Sequence, residues 1–199
     1  MQKYLLLALV RLLVGAYPSG LDTSTKARQS IYFSNHTSHL DTIVILSALA
    51  LRRGPLVRPV AALDYWGKGP IRRHIAQAVL RVVLIDRKIA SGRDPLDPLC
   101  EALEQGESLI IFPEGTRGDN ATPEQFRSGL HSLATRFPNV DLVPVYLENL
   151  NRIMPKGAAL PVPLISRVYF GQPLPRLPNE SKATFLARAR NSVINLYSR

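Results

Sequence analysis

"SIYFSNHTSHLDTIVILSALALRR", residues 30–53, decides the fold. "SIYFS" (30–34) is short, aliphatic and aromatic, as a buried strand is. "DTIVILSALALRR" (41–53) has helical length and good helix formers, and it stops before Gly54-Pro55. A strand that passes through a short polar turn into a helix is half of a β-α-β unit.

The alternation continues outward. "LVRPVAAL" (56–63) reads as a strand that Pro59 places at an edge or bend. "GPIRRHIAQAVLR" (69–81) has a helical period, with Ile71, Ile75, Ala78 and Val79 on one face, and "VVLID" (82–86) is a β-branched run. "DPLDPLCEALEQG" (94–106) predicts a helix stopped by Gly106, and "SLIIF" (108–112) a strand. "TPEQFRSGLHSLATRF" (122–137) predicts a helix capped by Thr122, with Pro123 at its first position. "VDLVPVYL" (140–147) and "SRVYFG" (166–171) are strands, and residues 180–198 a terminal helix. The expected architecture is one α/β domain, a mostly parallel or mixed central sheet flanked by helices, with chemistry in the loops beyond the strand ends.

The chain has 199 residues, 46% of them hydrophobic, enough for one sizeable core. Cys100 is the single cysteine, so no intrachain disulfide forms. The net charge is +10 and the pI about 10.2, which points to an anionic partner. Between Arg52 and Arg93 ten Lys/Arg face only Asp64 and Asp86. A solvated basic face would look the same. The sequence shows no helix-turn-helix, zinc-finger or RNP signature, so a nucleic-acid partner is not expected.

The turn "SNHTSHLD" (34–41) admits three readings. Ser38 and Asp41 have the spacing of a helix capping box. His36, His39 and Asp41 could ligate a metal, but the spacing matches no familiar zinc pattern. His36 and Asp41 could also fold back on each other across the turn, the carboxylate fixing the imidazole tautomer so that the other nitrogen serves as a base. No G-x-S-x-G elbow supplies a protein nucleophile. On this last reading the attacking hydroxyl belongs to the substrate. A second stretch, "LIIFPEGTRG" (109–118), runs a strand into a turn bearing Glu114, Gly115, Thr116 and Arg117. Pro-Glu-Gly is ordinary turn chemistry. The same turn can also make an anion site from an arginine and exposed backbone N–H groups.

"NHTSHLD" (35–41), "VLIDR" (83–87), "FPEGTR" (112–117) and "VPV" (143–145), in this order, resemble the four motifs of the glycerolipid acyltransferases, typified by lysophosphatidic acid acyltransferase. The resemblance implies transfer of a fatty acyl group from an acyl-CoA or acyl-carrier-protein thioester to the hydroxyl of a lysophospholipid, above all 1-acylglycerol 3-phosphate. Glycerol 3-phosphate or a phosphate-free lyso-lipid is the alternative acceptor; from other classes, the alternatives are a basic nucleic-acid-binding domain or a metal-dependent hydrolase. It implies His36 as general base, Asp41 as its orienter, and Arg87 and Arg117 on the acceptor's phosphate. Glu114 would hold a glycerol hydroxyl, and N–H groups around Gly115 and Thr116 would face the oxyanion. Val143, Pro144 and Val145 would line or support the acyl region, and neither cofactor nor metal is expected. The chain departs from the family in "ALDYW" (62–66), where Asp64 stands in the place of a lysine that many members carry, with Lys68 out of register.

The apolar N-terminus, residues 1–20, reads either as a helix lying in a membrane interface or as one packed on the protein's own core; the first is the expectation, with residues 21–199 as the acyltransferase domain. Arg11 interrupts the run, which is shorter than the roughly 20 residues a spanning helix needs. The expectation is a peripheral, monotopic protein on the cytoplasmic face, drawn to anionic lipid by its basic belt.

Overall fold

The computed structural model describes residues 17–21, 28–38, 40–50, 54–63, 69, 74, 77–78, 80–86, 94–118, 122–150 and 166–197. Seven strands, β1 (Tyr17–Ser19), β2 (Ser30–Ser34), β3 (Val57–Ala62), β4 (Val83–Ile85), β5 (Ser108–Ile111), β6 (Asp141–Glu148) and β7 (Arg167–Phe170), form one sheet in the order β1-β7-β6-β2-β5-β3-β4. Every neighbouring pair is parallel except β6 with β7. The described helices include α1 (Asp41–Leu49), α2 (Asp97–Glu104), α3 (Gly129–Arg136) and α4 (Lys182–Ile194). The expected α/β architecture with a mostly parallel mixed sheet is the one observed.

Strand periodicity sorts the core into two layers. Tyr32, Ile110, Val143 and Val145 pack with Val44, Ile45 and Leu49 of α1 on one side. Ile31, Phe33, Leu109 and Leu142 pack with Leu103 of α2, Leu133 of α3 and Phe185 of α4 on the other. Both faces of β2 are therefore covered, which is why it reads as a continuous apolar run instead of an alternating one. Of the fourth motif, Val143 and Val145 lie in the α1-side layer.

Several expectations change. Tyr17–Ser19, expected at the tail of an N-terminal helix, instead forms β1 on β7; residues 1–16 lie outside the described residues. Gly20 then turns at φ 73°, where a Cβ would come 2.3 Å from the Phe170 carbonyl. β3 is an interior strand, not an edge: its ladder to β5 covers Val57–Pro59 and its ladder to β4 covers Val60–Ala62. Pro59 sits at the hand-over, the last residue paired with β5 before pairing with β4 begins.

The helix expected over 122–137 begins only at Gly129. Pro123, Glu124 and Arg127 give backbone groups to tertiary partners. Glu124 N–H donates to the Glu114 carboxylate, Arg127 N–H donates to the Pro113 carbonyl, and Arg190 Nε donates to the carbonyls of Pro123 and Glu124. Capping signals are worth about 1 kcal/mol each, and four such bonds outweigh them. The helix expected over 69–81 falls largely outside the described residues, as do residues 51–53 beyond α1.

Candidate active site

β2 lies between β5 and β6, parallel to both, with Phe33 opposite Ile111 and Pro144. The turns that leave β2 and β5 are therefore side by side at the C-terminal end of the sheet. The first turn is held by Asn35, which is buried. Its Nδ2 donates to the Leu147 carbonyl at 3.1 Å and its Oδ1 accepts from Leu147 N–H at 2.8 Å. The side-chain amide thus imitates a strand residue one step past the end of β2, and it ties the turn to β6.

Asp41 opens α1 and is fully buried. Its Oδ2 accepts from His36 Nδ1 at 2.8 Å, from Thr37 N–H at 2.6 Å and from Ser38 N–H at 2.9 Å. The pairing with His36 and the reach back to the start of the turn meet on the same oxygen. The carboxylate reaches back to Ser38 N–H as in a capping box, while Ser38 Oγ accepts from Leu40 N–H at 3.3 Å. With Nδ1 engaged as a donor, Nε2 is the imidazole nitrogen left to accept a proton, a tautomer assigned from the hydrogen bond. The His36 ring stacks on Phe112 with centroids 4.2 Å apart. Its side chain is 22% exposed against 0% for Asp41, so a substrate reaches the imidazole and not the carboxylate. The second oxygen of Asp41, Oδ1, is buried without a hydrogen-bond partner among the described residues.

The second turn is built on Gly115. Its N–H donates to the Phe112 carbonyl at 3.0 Å, and φ is 76°, a conformation that favours glycine. A Cβ there would come 2.5 Å from Arg127 Nε. Glu114 is buried beneath this turn. Its Oε1 accepts from His36 N–H and its Oε2 from Glu124 N–H, each at 2.8 Å. Burial raises the Glu114 carboxyl above the usual carboxylate range, and the two backbone bonds oppose that rise. Gly118 N–H donates to the His36 carbonyl at 2.9 Å, a second strap between the turns.

Two expected roles change with this geometry. Glu114, expected on a glycerol hydroxyl, does not line the cleft. Both its oxygens hold backbone amides, so it clamps the two turns together. Gly115 N–H, expected to face an oxyanion, is spent on closing its own turn. Thr116 is exposed and lines the cleft.

The cleft holds about 370 Å³ and is lined by His36, Thr42, Phe112, Thr116, Arg117 and Arg127, with an apolar wall from β3, α2 and α3. It brings together His36, Gly115, Thr116 and Arg117, with Asp41 and Glu114 directly behind. Arg87, His39 and residues 64–68 lie outside the described residues. Asn35, Phe112 and Arg127 were not singled out from the sequence. Their signal is weak there, because each acts through a neighbour that only the sheet brings close.

A family model described as acyltransferase matches residues 17–148. Chloroplastic 1-acyl-sn-glycerol-3-phosphate acyltransferases from Arabidopsis thaliana and Brassica napus are each 30% identical to this chain, over 136 and 135 residues. The matches cover 65% and 64% of this chain and 34% and 35% of the relatives, so the chain spans about a third of their length. The crystal structure of the 1-acyl-sn-glycerophosphate acyltransferase PlsC from Thermotoga maritima has the same fold. It matches with a TM-score of 0.77 over 99% of this chain and 78% of that one, at 18% identity.

Proposed function

Because the chain belongs to the acyltransferase family, we propose that it moves a fatty acyl group from a thioester to the free hydroxyl of a 1-acylglycerol 3-phosphate. The observation that carries this reading is the His36–Asp41 pair at the head of a cleft that also holds Arg117. Among the described residues no serine or cysteine lines that cleft, and neither Thr42 nor Thr116 bonds to His36. In this reading the base acts on a hydroxyl of the substrate.

In this reading His36 Nε2 takes the proton of the acceptor hydroxyl as that oxygen attacks the thioester carbonyl. Asp41 Oδ2, already bonded to Nδ1, stabilises the imidazolium that forms. The tetrahedral oxyanion faces the turn at Thr116, whose N–H serves as its donor. Collapse breaks the carbon–sulfur bond, the thiolate leaves, and the imidazolium returns the proton to it. The products are the diacyl ester and a thiol. Arg117 holds the acceptor's phosphate, with Arg87 expected to assist.

The donor is an acyl-CoA or an acyl-carrier protein. Both are polyanionic, and the net charge of +10 suits either, as it suits an anionic membrane surface. Among the described residues no helix is long and apolar enough to cross a membrane. Peripheral attachment on the cytoplasmic face remains the proposal, with the apolar segment before Tyr17 as anchor. Tyr17 pairs with Arg167, which pairs with Glu148 at the C-terminal end of β6, so this segment joins the sheet at the active-site end.

Thiol release, followed over a panel of acyl donors and lyso-lipid acceptors, tests the reading. Release that requires 1-acylglycerol 3-phosphate and disappears in a folded His36→Ala variant is the expected result. Unchanged release in that variant would overturn it.

A further inference from the structure

Arg127 stands in the cleft with no part assigned beyond its bond to the Glu114 carbonyl. Resting on the acyl-transfer reading, we propose that Arg127 is a phosphate-binding residue that joins Arg117 in holding the phosphomonoester of the acceptor lipid.

Its side chain is placed from both ends. Phe126 is buried, with its ring edge-on to Phe33 at 6.3 Å, and Arg127 N–H donates to the Pro113 carbonyl at 2.9 Å. The backbone is thus pinned to the core and to the neighbouring turn. The guanidinium is pinned as well. Nε donates to the Glu114 carbonyl at 2.9 Å. The group lies so close to Gly115 that an added Cβ would be 2.5 Å from Nε and 3.0 Å from Cζ. Among the described residues no protein acceptor meets the two Nη groups, and Arg127 is exposed on the cleft. An arginine anchored through Nε with both Nη groups outward is a pre-oriented fork for a tetrahedral anion.

Charge points the same way. Among the described residues the lining carries Arg117 and Arg127 and no Asp or Glu. Glu114 is the nearest carboxylate in the turn, and it is buried behind with both oxygens taken. Two guanidinium charges suit a phosphomonoester of about −1.5 to −2 at neutral pH. They suit a zwitterionic phosphodiester headgroup or an uncharged monoacylglycerol far less. Arg127 therefore serves acceptor choice, while its Nε bond serves the shape of the turn.

Calorimetric titration of the full chain separates these two tasks. The probes are a short-chain 1-acylglycerol 3-phosphate and the same monoacylglycerol without phosphate. Arg127→Gln is expected to weaken the phosphorylated probe by about tenfold or more and leave the other unchanged, with Arg127→Lys between. Thermal unfolding shows whether each variant is folded. Equal weakening of both probes, or of neither, would overturn the proposal. Thiol release on the same samples keeps the readings apart. A wild-type chain that binds the phosphorylated probe through Arg127 yet releases no thiol would overturn acyl transfer and leave the phosphate site standing.

Discussion

Asp41→Asn separates a catalytic carboxylate from a loop anchor, because the structure gives the two roles different magnitudes. An asparagine oxygen at the Oδ2 position can still accept from His36 Nδ1, Thr37 N–H and Ser38 N–H. Those three bonds lose charge assistance, which roughly halves each. The new NH₂ falls where Oδ1 now lies, in a buried site with no acceptor among the described residues. An unsatisfied buried donor costs about 1–3 kcal/mol. Removal of a buried charge offsets part of this, so a net loss of about 1–3 kcal/mol in urea unfolding is expected. Turnover should fall much further. A neutral amide does not stabilise the imidazolium, and a loss of about a thousandfold in kcat corresponds to about 4 kcal/mol of transition-state stabilisation. Thiol release measured well below the denaturation midpoint isolates the catalytic part. If the variant loses stability as expected but turns over within a few-fold of wild type, Asp41 is only an anchor, and His36 does not depend on it.

Glu114→Gln sets an NH₂ against one of two backbone donors and should cost about 1–3 kcal/mol, with kcat falling because His36 N–H is one of those donors. Since burial raises this carboxyl, its own contribution to stability is greatest below the unfolded-state value and declines as pH rises through the folded one. Urea unfolding across the weakly acidic range should show wild type losing stability relative to Glu114→Gln; a constant difference would refute the burial argument. Gly115→Ala should displace Arg127 and the turn, given a Cβ 2.5 Å from Nε, and reduce kcat/KM for a phosphorylated acceptor by at least about tenfold; unchanged kinetics would show that the turn yields freely. Arg117→Ala should raise KM for the phosphorylated acceptor far more than for the donor, with poor rescue by lysine; an effect confined to the donor would reassign Arg117. Flotation with anionic vesicles should weaken in high salt and on removal of residues 1–16; a truncated chain that floats as well as the whole would place the attachment elsewhere.

What was legible in the sequence was local. His36 and Asp41 lie five residues apart across one turn, so their pairing depends on little else. β2, β5 and β6 announce themselves because strands covered on both faces are apolar throughout. The part played by Glu114 was not legible: its partner, the His36 amide, is 78 residues away and is reached only because β2 and β5 are parallel neighbours. The Asn35 amide pairs with Leu147 across 112 residues, for the same reason through β6. The start of α3 misled for the complementary reason. Its capping signals are genuine, but the turn at Pro113 and Glu114 competes for the same backbone groups, and no local pattern records that competition.

The strand order also governs when the site can come into being during synthesis. The dyad residues leave the ribosome directly after β2. The strands that flank β2 and aim its turn, β5 and β6, follow much later, and β7 later still. A nascent chain that ends before Leu147 has His36 and Asp41 but not the Leu147 backbone that ties Asn35 to β6, and one that ends before Glu114 also lacks the clamp on the His36 amide. Pairings between such distant strands form slowly, and unpaired β2 would meanwhile expose Ile31, Tyr32 and Phe33, all buried in the finished protein. Competence for chemistry therefore arrives all at once, when the second half of the sheet closes around a strand made long before.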